Sequence, residues 1–189
     1  MTKLYIFTGS SGVGKGSMLK KFFAMPGVSE KIGYSISSTT RKPRKGEIDG
    51  IHYNFVSRNN FLDSIKENEF LEWAEFAGNL YGTNKKSVED CLNSGKNVLL
   101  EIELEGARKI KNLSQESKSI FVLPPSMKVL ESRLRSRFTE SQESIKMRLE
   151  AAVTELNSRN EFDYQIVNDY LDEAVLELNE IIFGKQARC

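Results

Sequence analysis

The chain alternates short apolar runs with longer stretches in which hydrophobic residues recur at helical spacing. The apolar runs are typical of buried strands and lie at 4–7, 98–102, 119–123 and 164–167. The amphipathic stretches predict helices at 18–23, 85–94, 106–113, 127–137, 144–158 and 172–183. Strands that alternate with helices predict an α/β fold, with a parallel sheet covered by helices on both faces. In such a sheet we expect ligands at the carboxyl ends of the strands.

Residues from about 32 to 90 interrupt this alternation. Their pattern predicts strands at 32–37, 53–56, 70–76 and 80–83, with a turn at Gly78 and Asn79 between the last two. We interpret this region as a β-rich lobe inserted into the α/β core. We expect an insertion of this kind to bind a substrate of its own.

Composition limits the classes of protein to which the chain can belong. With 39% hydrophobic and 28% charged residues and a net charge of +1, it is typical of a soluble globular protein without general affinity for nucleic acid or membranes. The first apolar run begins close to Met1, so we expect no signal peptide. Cys91 and Cys189 show no metal-binding or redox spacing, which favours free thiols in a reducing cytoplasm.

A glycine-rich segment between the first apolar run and the first helix indicates a phosphate-binding loop. It consists of Gly9, Ser10, Ser11, Gly12, Val13, Gly14, Lys15, Gly16 and Ser17. Its glycines allow several backbone N–H groups to face one anion, and the helix that follows adds partial positive charge. Lys15 then reaches the terminal phosphates of a nucleotide. The alternative is an ordinary glycine-rich turn between a strand and a helix.

One position of this loop departs from the usual pattern. The residue after the lysine is commonly a Ser or Thr that binds Mg²⁺, and here it is Gly16. Ser17 follows one position later and is expected to contact a phosphate. We therefore expect Mg²⁺ to take ligands other than this loop, chiefly water.

A second segment, residues 35–47, is dense in hydroxyl groups and cations. Arg41 and Arg44 flank Pro43, and two guanidinium groups can grip one phosphate. Tyr53 and Tyr81 can add phenol donors. By composition alone, a solvated basic loop is an equal alternative.

The two segments together resemble those of guanylate kinases. The resemblance continues through residues 53–55, 72–73, 81–83, 133–137, Arg148 and 166–169, and so covers nearly the whole chain in order. It implies one domain over 1–189 with three parts: a core of 1–31, 92–126 and 159–189, a GMP-binding lobe of 32–91, and a lid of 127–158. It also implies the reaction of ATP with GMP or dGMP, which gives ADP and GDP or dGDP.

The resemblance assigns the guanine site to residues whose chemistry matches the base. Glu72 holds the position of a carboxylate that accepts hydrogen bonds from guanine N1–H and N2–H, and Ser37 and Thr83 hold those of hydroxyls that donate to O6. Arg41, Arg44, Tyr53 and Tyr81 are implied to hold the GMP phosphate. Without the resemblance, Glu72 would be interpreted as a surface carboxylate. Trp73 alternates with Glu72 along a strand, and we expect it in the core of the lobe.

Two acids follow the strand predicted at 98–102. Glu101 and Glu103 occupy positions that are usually aspartates in the family, near the base and the metal, and they lie on the same side of the strand. They are predicted to contact the substrate and to organise water bound to Mg²⁺. The alternative is that they only make the strand end soluble.

A third group belongs to the implied lid. Arg133 and Arg137 share one helix face, and with Arg148 they are implied to neutralise charge on the transferred phosphoryl group. Asn168, at a strand end, is implied to contact the ATP adenine.

Two other functions compete with that of guanylate kinase. One is a catalytically silent binding module of similar sequence, which the presence of Lys15 and the arginines disfavours. The other is a kinase for a different phosphate acceptor, against which Glu72, Ser37 and Thr83 argue. The sequence does not indicate an oligomeric state.

Overall fold

The computed structural model describes residues 2–44, 46–76, 78–136 and 142–184. The strands are β1 (Leu4–Gly9), β2 (Ile32–Ser35), β3 (Ser38–Thr39), β4 (Asn54–Phe55), β5 (Phe70–Phe76), β6 (Asn79–Asn84), β7 (Asn97–Glu101), β8 (Lys118–Leu123) and β9 (Tyr164–Val167). The helices are α1 (Lys15–Phe23), α2 (Val28–Lys31), α3 (Arg58–Lys66), α4 (Lys85–Asn93), α5 (Leu104–Leu113), α6 (Met127–Arg135), α7 (Gln142–Asn157) and α8 (Leu171–Phe183). A short 3₁₀ helix spans Ser158–Glu161.

The chain divides into two compact units, of which the first comprises Met1–Phe7 and Glu30–Lys118. Its parallel strands have the order β2-β7-β1, with Ile32 opposite Asn97 and Leu4 opposite Val98. Val98, Leu99 and Leu100 are fully buried. Consecutive buried residues require cover on both faces of the strand, which confirms the parallel strand expected there.

The same unit contains a second, mostly antiparallel sheet with the order β4-β3-β6-β5. The rings of Phe61 in α3 and Phe70 in β5 stack with centroids 4.4 Å apart, and Leu80 completes a small core. The strands predicted at 70–76 and 80–83 are confirmed as β5 and β6. The expectation for Trp73 is wrong: it is 38% exposed and lies against the ammonium group of Lys109 instead of in this core.

The second unit comprises Thr8–Ser29 and Ser119–Cys189. Here β8 and β9 pair in parallel, with Ile120 opposite Tyr164. Helix α1 packs on α8, where the Phe22 and Phe183 rings stack. Ser126 caps the start of α6 by accepting a hydrogen bond from the Val129 N–H, as expected for a serine at this position.

The expected α/β class is confirmed in both units, since parallel strands and helices alternate along each. Sequence patterns missed α2, α3 and β3, because these elements are short or lack a marked periodicity. The division into core, lobe and lid stays a prediction. Within the described ranges, no helix is long and apolar enough to cross a membrane.

Candidate active site

In the second unit, the glycine-rich loop joins β1 to the start of α1. A side chain at Gly9 would place its Cβ 2.5 Å from the Val122 carbonyl oxygen, so only glycine fits there. Gly14 caps α1 in the left-handed region, with a φ of 96°. The first helical N–H groups, from Lys15 onward through Gly16 and Ser17, have no intrahelical acceptors and are oriented to bind an anion.

The Lys15 side chain curls back over this loop. Its ammonium group donates to the Gly9 carbonyl oxygen at 2.5 Å and lies 3.5 Å from that of Ser10. Lys15 therefore lies over the loop, and its contact with nucleotide phosphates stays a prediction. In this position a phosphate oxygen can take the place of a carbonyl acceptor with little movement of the lysine.

A network of hydrogen bonds holds the backbone of the loop at Val13. The Val13 carbonyl oxygen accepts bonds from Asn168 Nδ2 at 2.7 Å and from the Arg133 guanidinium at 3.3 Å. The same guanidinium donates to the Asn168 carbonyl oxygen at 2.9 Å. Asn168 is only 4% exposed and packs against Gly14. The structure thus gives Asn168 and Arg133 a supporting contact that the sequence did not indicate.

The predicted set contains two further arginines, Arg148 and Arg137. Arg148, in α7, donates to the Ser11 hydroxyl oxygen at 3.4 Å, so it reaches the loop from a distant part of the chain. Arg137 lies outside the described residues. The predicted roles of Arg133, Arg137 and Arg148 toward a transferred phosphoryl group stay predictions.

We expect Asn168→Ala to raise the KM for MgATP about tenfold, because it removes a donor from the buried Val13 carbonyl. Tripolyphosphate, which lacks adenine, separates this support from a direct adenine contact. If Asn168 holds the loop, the inhibition constant of tripolyphosphate rises in parallel with the KM for MgATP. If Asn168 contacts only the base, the inhibition constant of tripolyphosphate does not change. Asn160→Ala, at an exposed position, serves as the matched control.

In the first unit, three of the four side chains predicted to hold a phosphate, those of Arg41, Tyr53 and Tyr81, lie together. The Arg41 guanidinium is 5.4 Å from the centroid of the Tyr53 ring, and the Tyr53 and Tyr81 rings are 6.0 Å apart. Burial and the negative charge of Glu101 raise the pKa of the Tyr53 phenol. Tyr53 therefore keeps its proton and stays a hydrogen-bond donor.

Glu47 organises this group and was missed in the sequence. Both of its oxygens accept hydrogen bonds from Arg41 at 2.9 Å, and one also accepts from the Arg44 backbone N–H at 2.7 Å. Burial disfavours the Glu47 charge, but these bonds outweigh burial and lower the pKa of its carboxyl group. The signal for this role was an acid that ends the basic segment.

Two of the residues predicted to read guanine, Glu72 and Thr83, lie opposite each other on the paired strands β5 and β6. Glu72 is 7% exposed, and the Thr83 hydroxyl donates to its Oε1 at 2.7 Å. This bond uses the only hydroxyl hydrogen of Thr83, so in this structure Thr83 positions Glu72 rather than offering a donor to O6. Ser37 is also buried and precedes Ser38, which pairs with Gly82 beside Thr83.

Glu101 and Glu103 lie at and just beyond the end of β7. The Tyr34 hydroxyl donates to Glu101 Oε2 at 3.0 Å, a contact 67 residues apart in the sequence that no motif indicated. Burial, reinforced by Glu101, raises the pKa of Tyr34, so this hydroxyl stays a donor. Glu103 precedes α5 and forms no side-chain cap, which leaves its carboxylate for other contacts.

The parts of the chain that the structure describes contain no group of three or more His, Cys, Asp or Glu residues arranged to hold a metal ion.

Residues 1–185 match the guanylate kinase family. A guanylate kinase of Synechococcus elongatus is 48% identical over 182 residues, which cover 96% of this chain and 98% of that protein. One from Prochlorococcus marinus is 47% identical over 95% of this chain and 96% of its own. The crystal structure of guanylate kinase from Anaplasma phagocytophilum superposes with a TM-score of 0.78 and 32% identity, covering 99% of this chain and 87% of that one. A family match over residues 1–185, with relatives aligned over nearly the whole sequence, establishes that this chain belongs to the guanylate kinase family.

Proposed function

We propose that this protein is an enzyme that transfers the γ-phosphoryl group of MgATP to GMP or dGMP, giving ADP and GDP or dGDP, in the purine nucleotide metabolism of the cytoplasm. Family membership supports this activity, and the relatives named above are guanylate kinases. The observation that carries the base specificity is the buried carboxylate of Glu72, held by Thr83. A carboxylate withdrawn from water needs donors, and guanine supplies two on one edge.

Selectivity against adenine follows from the same geometry. Adenine carries no N1–H and would present a lone pair to the Glu72 carboxylate. Each buried polar group left unpaired costs about 1–3 kcal/mol, so AMP is expected to bind far more weakly than GMP. Neither uracil nor cytosine matches two donors to this carboxylate in the way that guanine does.

The chemistry requires positioning and charge stabilisation rather than a general base. An oxygen of the GMP phosphate is already a nucleophile, and it attacks the γ-phosphorus in line as the bond to ADP breaks. Arg41, Arg44, Tyr53 and Tyr81 hold the acceptor phosphate, while Lys15 and the loop N–H groups hold those of ATP. Bound with ATP, Mg²⁺ would supply charge neutralisation at the phosphates. A Cβ at Gly16 would meet nothing within 4 Å, so the loop leaves open space at that position.

As pH falls, the binding of guanine should begin to weaken at a higher pH than it would if Glu72 were exposed to solvent. Burial raises the pKa of Glu72 above its ordinary value of about 4.5, although Thr83 and Lys109 oppose this effect. Protonation removes the acceptor, so affinity is present above this pKa and is lost as pH falls through it, by up to about tenfold per pH unit. The inhibition constant of guanosine measures this directly, because guanosine lacks the phosphate of GMP, which titrates at about pH 6. An inhibition constant that does not change down to the ordinary pKa of glutamate would contradict the assignment.

The test of the proposed function is ADP formation from MgATP with GMP, AMP, UMP or CMP as the only acceptor. Turnover with GMP alone is expected. Turnover with another acceptor would favour a different nucleotide kinase. If the folded protein binds GMP but shows no turnover with any acceptor, it is a silent binding module instead.

A further inference from the structure

Helix α5 brings a glycine against the carboxylate that reads the base. A Cβ at Gly106 would lie 2.5 Å from Glu72 Oε2, 2.9 Å from Cδ and 3.3 Å from Oε1. Both residues are buried, and the Oε1 atom of Glu72 is fixed from its other side by the Thr83 hydroxyl. The carboxylate therefore lies between Thr83 and the bare backbone of Gly106.

The backbone itself does not require glycine at this position. Gly106 lies within α5, and it is not among the glycines with positive φ. Inside a helix, glycine is less favourable than every residue except proline. The feature that excludes a larger residue here is the space that the Glu72 carboxylate occupies.

The same face of α5 carries a positive charge one turn later. The Lys109 ammonium group donates to the Trp73 carbonyl oxygen and lies 5.1 Å from the centroid of the Trp73 ring. Lys109 thus ties α5 to β5 at the residue next to Glu72. This contact opposes a movement of α5 away from β5.

We infer that Gly106 is a positioning residue that sets guanine specificity. Because it lacks a side chain, the Glu72 carboxylate can occupy the position at which it accepts hydrogen bonds from both N1–H and N2–H of guanine. This inference rests on the proposed function. A displaced carboxylate loses two bonds to GMP but only one to IMP, whose base keeps N1–H and has no 2-amino group. Gly106 thus controls how strongly the site prefers GMP to IMP.

The experiment measures kcat/KM for GMP and for IMP at saturating MgATP. For Gly106→Ala we expect a fall of about 10²-fold with GMP and a fall of about tenfold in the ratio of GMP to IMP, with the KM for MgATP unchanged. Asn112→Ala, at an exposed position of the same helix, is the matched control and should change neither quantity. If Gly106→Ala keeps the ratio of the unmodified enzyme, the inference is overturned.

A double-variant cycle with Glu72→Asp separates positioning from a general loss of structure. Aspartate is shorter by one methylene, so it withdraws the carboxylate from the added Cβ. We expect Glu72→Asp to lower kcat/KM for GMP in the unmodified enzyme but to raise it in the Gly106→Ala background. If Gly106→Ala does not fold, the double variant should still regain a cooperative thermal transition, since it relieves the same contact. Additive effects, or a double variant no more stable than the single one, would overturn the inference.

The two hypotheses fail in different ways. An unmodified enzyme that does not phosphorylate GMP contradicts the proposed function. An unmodified enzyme that does so, and whose Gly106→Ala variant keeps its preference for GMP over IMP, contradicts only the inference about Gly106.

Discussion

Replacing Lys15 with methionine is expected to lower kcat roughly 10³-fold, because the substitution removes a positive charge from the loop that is predicted to hold the ATP phosphates. The affinity for GMP should not change, since Lys15 is not among the residues predicted to bind GMP. Methionine keeps the length and much of the apolar stem of lysine. The measurements are steady-state turnover and GMP binding by calorimetry.

Lys20→Met provides the control for this substitution. Lys20 lies in the same helix, α1, and is exposed to solvent. Its replacement removes the same charge from the protein without touching the loop, so turnover should stay close to that of the unmodified enzyme. Near-normal turnover of the Lys15 variant would refute its assigned role, and so would an equal loss in both variants.

The second large effect is expected from Glu72→Gln, which should lower kcat/KM for GMP about 10²-fold or more. Thr83 donates to one oxygen of this carboxylate at 2.7 Å, and the other becomes an NH₂ group that faces the guanine donors. Two hydrogen bonds to a charged acceptor are weakened together, and a buried donor loses its partner. The KM for MgATP should change little. Initial-rate kinetics with each substrate varied in turn measure both quantities.

Glu75→Gln is the matched control on the same strand. Glu75 is 54% exposed at its side chain, with its carboxylate 3.8 Å from Arg58. An exposed pair of this kind contributes little, so kinetics and stability should stay almost unchanged. A Glu72→Gln enzyme as active on GMP as the Glu75→Gln enzyme would show that Glu72 does not read the base.

The elements whose signals are local were predictable from the sequence. The glycine loop is continuous from Gly9 to Ser17, and its geometry depends on glycines and on the helix that directly follows it. Strands β5 and β6 were predicted because Gly78 and Asn79 indicated a turn between two strand-like runs, and the structure begins β6 at Asn79 itself. Helix α3 was missed because its apolar positions are few, although Ser57 caps its start.

In the candidate site, several residues were predictable from the sequence but their hydrogen-bond partners were not. The sequence pattern and the family resemblance indicated that Lys15, Arg41, Glu72 and Thr83 belong to the site. They did not indicate that Thr83 gives its hydrogen to Glu72, or that Glu47 holds Arg41 through both carboxylate oxygens. Hydrogen bonds of this kind depend on side-chain directions that neither composition nor periodicity specifies.

By itself, the sequence determined the α/β class, the position of the glycine-rich loop and the family, because each is encoded by residues adjacent in the chain or by motifs kept in order. Only the tertiary structure decided which side chains support the site. Tyr34 and Glu101 are 67 positions apart, Arg133 and Val13 are 120 apart, and Gly106 meets Glu72 only because α5 packs on β5. Such contacts arise from the packing of whole elements, so their partners are fixed only once the chain has folded.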